Sequence, residues 1–281
     1  MTINEWLRHA AASLAKAGCP DPSIDARWMA EDALRMSRTD LKFEGEQELR
    51  ALAHARLSGM LRRRLAGEPV QYILERADFM GLTFHVDRRV LIPRQDTETL
   101  VEHALIGLSA WSRPTVLDLC AGSGCIGLSL KNLAPRAQVT LADVSADALE
   151  VARRNAELLS VDVDIRRGDL FRAVGRARFD MIVSNPPYIP HGELASLQRE
   201  VQHEPMLALD GGRDGLDFYR RIAEGAAAHL NPGGAVYLEV GAGEAAAVLE
   251  LLRQGIECAA SGVEKDLNNI DRVVWCRLPQ P

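Results

Sequence analysis

The string Ser184-Asn185-Pro186-Pro187-Tyr188 has the most definite chemical content in this chain. Two consecutive prolines fix φ, stiffen the loop and hold the residues before them extended. The string follows the apolar run 179–184, which reads as a buried strand. A carboxamide and its neighbouring carbonyls are therefore presented at the carboxyl end of a strand, where open α/β sheets bind ligands. A turn built only for structure would rarely need this string after a buried strand.

A second candidate, Asp118-Leu119-Cys120-Ala121-Gly122-Ser123-Gly124, lies between a strand and a helix. Its glycines let the backbone approach a ligand closely and take positive φ without a Cβ penalty. Gly122, Gly124 and Gly127 match G-x-G-x-x-G, a dinucleotide fingerprint that is weak alone. Two details argue against a nicotinamide dinucleotide. Gly122 comes three residues after Asp118-Leu119 rather than directly off the strand, and an Asp there disfavours a pyrophosphate. A cationic ligand without phosphates fits better, and S-adenosylmethionine carries a sulfonium and an α-ammonium. Asp143, 19 residues after Gly124, ends the next strand. Its carboxylate can accept hydrogen bonds from both ribose hydroxyls; the alternative is a helix cap near Ala146. Asp169, past the third strand, is the expected adenine-side contact, with Leu170 and Phe171 as an apolar floor. The expected cofactor set is thus Ala121, Gly122, Ser123, Gly124, Asp143, Asp169, Leu170 and Asn185.

These loops need a scaffold. Strands are expected at 116–119, 139–143, 163–166, 179–184 and 235–240, alternating with helices at 126–133, 146–159, 216–230 and 243–254. Such alternation makes a doubly wound, mainly parallel α/β sheet. Two closing strands, near 256–260 and 272–276, have no helix between them and suggest an antiparallel edge, for seven strands in all. Upstream, residues 1–75 read as three amphipathic helices. Thr2 and Glu5 form a capping box for the first, Gly18 to Pro22 stop it, and two more follow at about 23–36 and 46–66. Ile24, Trp28, Ala30 and Leu34 are the expected apolar side of the second helix. Phe79, Leu82, Phe84 and Val86 around Gly81 suggest a short hairpin. The expected division is a helical bundle over 1–75, a hairpin connector over 76–95 and the sheet domain over 96–281.

Composition limits the chemistry. The 281 residues carry a formal charge of −6, and 47% are hydrophobic, which excludes a disordered or collagenous chain. Residues 1–75 hold eleven basic and eleven acidic side chains, so the whole −6 falls on the remainder. This disfavours coating nucleic acid through bulk positive charge. Arg62-Arg63-Arg64 is the densest basic patch, and it reads as the solvated face of a helix. Five scattered cysteines do not make a disulfide framework, and Cys120 and Cys125 lack partners for a metal site. No metal is expected. No signal peptide and no apolar run of about 18–20 residues is visible, so a soluble, cytoplasmic protein without membrane contact is expected.

The Asn185 string with the glycine loop resembles the class I, S-adenosylmethionine-dependent methyltransferases that act on planar nitrogens. The resemblance narrows with Gly67-Glu68-Pro69-Val70-Gln71-Tyr72-Ile73, the segment Val90 to Glu98, Asp214-Gly215-Leu216-Asp217-Phe218-Tyr219, and Lys265-Asp266-Leu267 with Asp271-Arg272. These are similar to the peptide chain release factor glutamine methyltransferase family, from about Gly67 to Arg277. The resemblance implies methyl transfer from S-adenosylmethionine to the amide nitrogen of the glutamine in the Gly-Gly-Gln motif of class 1 release factors. It further implies that Asn185 and the Pro186 carbonyl accept from the two amide hydrogens, while Pro187 and Tyr188 shape the slot. The helical N-terminal part is compatible with the family's substrate-binding domain. The chain departs from the family at Cys120, where glycine is common, at Gln95, where proline is usual, and at Asn268-Asn269-Ile270. A ribosomal-protein glutamine methyltransferase is the nearest alternative; Asp96-Thr97-Glu98 favours the release-factor branch. An adenine N6 methyltransferase on nucleic acid is the second, disfavoured by the acidic balance. A non-catalytic cofactor scaffold is the third, disfavoured by the intact Asn185 loop and Asp143.

Overall fold

The computed structural model describes residues 1–280 as two units. One comprises Met1–Arg76 with Gln198–His203, and the other Ala77–Leu197 with the residues from Glu204 on.

The first unit is helical. Helix α1 (Ile3–Lys16) opens with the expected capping box. The Thr2 hydroxyl accepts from the Glu5 amide at 3.2 Å, and the Glu5 carboxylate accepts from the Thr2 amide at 2.8 Å. Helix α2 (Pro22–Leu34) starts on a proline, tolerated there because a first-turn N–H has no intrahelical partner. It buries Asp25, Ala26, Met29 and Ala30, while Ile24 is 38% exposed. Ala30 is buried and Trp28 and Leu34 pack against the core as expected; only Ile24 faces out, and a carboxylate lies inside instead. Asp25 accepts from Arg64 Nε at 2.6 Å, and Arg64 Nη2 reaches Glu200 at 2.8 Å. Arg64 is thus buried, which corrects the expectation of a solvated Arg62-Arg63-Arg64 face. Arg63 pairs with Glu68 at 2.7 Å. Five helices replace the expected three. Helix α3 (Arg38–Phe43) has its own capping box from Ser37 and Asp40, α4 (Ala51–Leu65) starts later than expected, and α5 (Val70–Leu74) follows Pro69. Leu52, an apolar residue in the first turn of α4, is 85% exposed.

The second unit is built on a sheet. Strands β1 (Arg76–Phe79) and β2 (Leu82–His85) form the expected hairpin. Met80 and Gly81 turn it with φ of 51° and 72°, both left-handed, as a two-residue hairpin turn requires. Helix α6 (Glu98–Leu108) precedes β3 (Thr115–Leu119). Then come α7 (Cys125–Leu133), β4 (Gln138–Asp143), α8 (Ala146–Leu159), β5 (Asp164–Arg167), β6 (Phe179–Ser184), α9 (Asp217–His229), β7 (Leu230–Glu239), α10 (Ala245–Gly255), β8 (Ala260–Lys265) and β9 (Asp271–Arg277). The strand order is β5-β4-β3-β6-β7-β9-β8. Strands β3 to β7 pair in parallel, and β9 runs antiparallel to both neighbours. This is the expected doubly wound sheet with an antiparallel edge. Strand β8 lies further along than expected, because the apolar Ile256 is buried in the loop before it.

Alternation along the strands fills two cores. Val116, Val139, Met181 and Val183 pack with α6, α7 and α8 on one face, and Leu117, Leu119, Ile182 and Leu238 with α9 and α10 on the other. Cys258 and Cys276 form a disulfide, a single pairing that the scattered cysteine count did not suggest. Among the described residues no helix is long and apolar enough to cross a membrane.

Candidate active site

The chain crosses from β3 to β4 and β5 on one side and returns to β6 on the other. The junction of β3 and β6 is therefore the switch point where such sheets leave a crevice. Leu119 pairs with Ser184 across it, and Ser184 Oγ donates to the Leu119 carbonyl at 2.7 Å. The glycine loop and the Asn185 loop consequently leave the sheet side by side.

A cavity opens there. Gly122, Asp143, Asp169, Leu170, Asn185 and Pro187 all line it. Ala121, Ser123, Gly124, Pro186 and Tyr188 lie in the same loops without lining it. Phe171, expected on the apolar floor, instead stacks on His229 with ring centroids 4.4 Å apart. Sequence reading missed Leu91, Ala148, Leu207 and Phe218, which supply apolar wall. Only Leu91 and Phe218 fell inside a segment already singled out.

The glycine loop is held in an unusual path. Cys120, Gly122 and Gly124 have φ of 57°, 54° and 79°. A cysteine thus takes the left-handed conformation that costs glycine nothing, at an energetic cost of order 1–3 kcal/mol. Gly127 is required for packing: a Cβ there would lie 2.3 Å from Leu141. Asp143 Oδ2 accepts from the Gly122 amide at 2.9 Å, and Oδ1 accepts from the Ser145 amide at 2.8 Å. The helix cap itself is Ser145, whose hydroxyl accepts from the Ala148 amide at 3.1 Å. A carboxylate has about four acceptor positions, and the Val144 amide also acts on this one, so Asp143 keeps acceptor capacity for a ligand. Burial pushes its pKa up and the backbone amides pull it back. Asp169 is bound by Arg221 Nη2 at 2.6 and 2.5 Å, a tie that its sequence position did not suggest.

Two other buried groups shape this side. Asn155 donates to the carbonyls of His85 and Ser123 at 3.0 and 2.9 Å and accepts from the His85 amide at 2.7 Å. It ties the glycine loop to the hairpin. Asp118 is fully buried and accepts from the Gly127 amide at 2.9 Å. Its Oδ1 has no partner, and burial pushes its pKa to about 8.

The Asn185 loop is clamped from outside. Ile189 exchanges backbone hydrogen bonds with Leu209 and Gly211, at 3.0 and 2.9 Å. A Cβ on Gly211 would lie 2.6 Å from Tyr188 Cα, and one on Gly215 would lie 2.5 Å from the Tyr188 carbonyl oxygen. Close backbone approach thus explains why Asp214-Gly215 belongs to a site motif. Tyr188 is largely buried, and its phenol is pushed up to about 12. Asn185 Nδ2 donates to Thr97 Oγ1 at 3.3 Å. The arrangement can hold a ligand between Asp143 and Asn185 and present hydrogen-bond acceptors to a second molecule.

Similarity to known proteins agrees with this geometry. Residues 5–74 match the family model described as PrmC N-terminal domain, and residues 96–204 the model described as Methyltransferase small domain. A release factor glutamine methyltransferase of Geobacter sulfurreducens is 42% identical over 99% of this chain and 97% of its own. One of Cereibacter sphaeroides is 42% identical over 99% of each. The structure of a T. thermophilus 16S rRNA N2 G1207 methyltransferase with AdoMet and guanosine is alike in fold. Its TM-score is 0.54 at 22% identity, covering 72% of this chain and 49% of that one.

Proposed function

The chain belongs to the release factor glutamine methyltransferase family, and on that premise we propose that it methylates the side-chain amide nitrogen of the glutamine in the Gly-Gly-Gln motif of class 1 release factors. The methyl donor is S-adenosylmethionine, and the modified factor acts in translation termination in the cytoplasm. The observation that carries this reading is that Asp143 and Asn185 line one cavity.

The residues fit that donor. Asp143 retains acceptor capacity for a ribose hydroxyl, Asp169 and Leu170 line the side expected to meet the adenine, and Gly122 leaves room for close approach. The donor supplies a methyl group on a sulfonium, a good leaving group. The target is difficult because an amide lone pair is delocalised, and no side chain of ordinary pKa deprotonates such a nitrogen. The chain's task is orientation. Asn185 Oδ1 and the Pro186 carbonyl accept from the two amide hydrogens, hold the nitrogen in line with the methyl and favour the positive charge that develops there. Pro187 and Tyr188 bound the slot around the planar amide. Tyr188 stays protonated near neutral pH, so it shapes the slot without adding charge. The proton leaves after transfer, and no nucleophilic Ser or Cys, no His base and no metal is required.

Residues 1–75 serve as the substrate-binding bundle and 76–95 as its connector. Deleting residues 1–75 raises KM for an intact release factor far more than for a Gly-Gly-Gln peptide; equal losses would count against this division.

Incubating the protein with methyl-labelled S-adenosylmethionine and a release factor, ribosomal protein or DNA tests the main reading. Mass spectrometry should place the label on the Gly-Gly-Gln glutamine. Label found only in nucleic acid would refute it.

A further inference from the structure

A carboxamide is nearly symmetric in shape, so its two orientations differ in chemistry rather than in fit. With Oδ1 toward the substrate, Asn185 accepts from the glutamine amide. Flipped, it offers NH₂ to NH₂ and loses the acceptor. Thr97 by itself does not choose between them, because a hydroxyl both donates and accepts. The choice needs a group that only accepts.

Such a group stands behind them. Glu239 is the last residue of β7, and Ser184 pairs with Leu238 on the neighbouring strand, so Glu239 and Asn185 leave the sheet together. Thr97, just before α6, completes the cluster. Thr97 and Glu239 are each 2% exposed. Thr97 and Asn185, joined by their own hydrogen bond, lie beside the Glu239 carboxylate and favour its charged form, and Glu239 Oε2 is buried with no partner among the described residues.

We propose that Glu239 and Thr97 are positioning residues: the ionised Glu239 carboxylate takes the Thr97 hydroxyl hydrogen and an Asn185 NH₂ hydrogen, leaving Asn185 Oδ1 to face the substrate amide. The Thr97 oxygen then accepts the remaining Asn185 N–H. This deepens the proposed glutamine methylation and rests on it. Protonated, Glu239 acquires a donor able to serve Asn185 Oδ1, and the flipped orientation becomes acceptable.

Burial pushes Glu239 up to about 7; the neighbouring Thr97 side chain, the charge of Arg272 and the Asn185 side chain oppose this, while Asp96 adds to it. The charged and titratable groups around Glu239 are Arg272, Asp96, Tyr188, Tyr219 and Cys125. Arg272 is held by Asp96 at 3.0 Å and Asp266 at 3.1 Å. The Tyr219 hydroxyl donates to the Glu239 backbone carbonyl at 2.9 Å. Burial raises Tyr188 and Cys125 to about 12 and Tyr219 well above 10, so those three stay neutral near pH 7.

The test measures kcat and KM for a release factor across pH, with S-adenosylmethionine affinity measured separately. Wild-type kcat is expected to fall on the acid side of about pH 7. Glu239→Gln should lower kcat roughly 10- to 100-fold, the scale of a displaced positioning group. It should also abolish that acid limb and leave KM and cofactor affinity within about twofold. Thr97→Val should lower kcat similarly, with most of the rate restored in Thr97→Ser. Undiminished kcat in Glu239→Gln, or an acid limb that persists in it, overturns the proposal. If Glu239→Gln fails to bind cofactor, the Thr97 pair decides: equal loss in Val and Ser overturns it. A wild-type protein that leaves release factors unmethylated instead overturns the proposed function.

Discussion

Asp25 in the helical unit and Asp118 in the sheet unit are both buried carboxyl groups, 5% and 0% exposed. Asp25 has a guanidinium 2.6 Å away, which Glu200 shares. Burial pushes Asp25 up, and the Arg64 hydrogen bond and charge pull it back toward the ionised form. Among the described residues, Asp118 has only the Gly127 amide as a donor and an Oδ1 with no partner. Burial carries it to about 8, against the Gly127 hydrogen bond, and the charge of Asp143 adds to the rise. In the helical unit a buried charge has found its counter-charge and organises packing. In the sheet unit a carboxyl without a bonded cation is retained at the end of β3, under the glycine loop. The two environments separate what stabilises a unit from what its binding site requires.

The largest expected effect tests the first half of that contrast. Arg64→Met leaves Asp25 buried without its cation and should lower the unfolding free energy by about 3–5 kcal/mol, read by urea denaturation. Adding Asp25→Leu should recover most of the loss; no recovery would mean that packing, rather than charge, holds the helices.

At the sheet, Asn185→Ala should reduce kcat on the order of 10²- to 10³-fold, about 3–4 kcal/mol, as for loss of one group that stabilises transition-state charge. Cofactor affinity measured by calorimetry should hardly change. An unchanged kcat would sink the methyl-transfer assignment.

Asp143→Ala should mainly weaken cofactor binding. Loss of charge-assisted hydrogen bonds is worth about 1.5–3 kcal/mol, roughly 10- to 100-fold in Kd. Turnover at saturating cofactor should fall far less, since Asp143 is expected to contact the ribose rather than the reacting methyl.

The smallest effect per step measured is the pH dependence of stability. The folded state keeps a proton on Asp118 up to about pH 8, whereas the unfolded chain releases it in the ordinary carboxylate range. This contribution is fully present below that range and is lost as pH rises through it toward 8. The slope is at most about 1.4 kcal/mol per pH unit. Melting curves from pH 5 to 8 should therefore flatten in Asp118→Asn relative to wild type, and parallel curves would contradict the raised pKa.

Legibility differed between the units for the same reason. The sheet unit declares itself through short apolar runs and turn chemistry, and most of its parallel strands fall close to where periodicity places them. The helical unit hides Asp25 and Arg64 inside, so the apolar stripe places Trp28, Ala30 and Leu34 at the core but wrongly adds the exposed Ile24. At the site, Gly122, Asp143 and Asn185 were readable because each sits next to a strand end. Phe171 was not, because a one-residue difference in direction sends its ring to His229.

The sequence by itself determined the capping box at Thr2, the hairpin at Gly81, the strand–helix alternation and the placement of the two candidate-site loops at strand ends. All are set by residues a few positions apart. Only the tertiary structure decided that Asn155 ties the hairpin to the glycine loop across 70 residues, that Thr97 meets Asn185 across 88, and that Arg64 answers Asp25 across 39. Those pairings follow from strand register and helix packing, which bring together side chains that no local spacing connects.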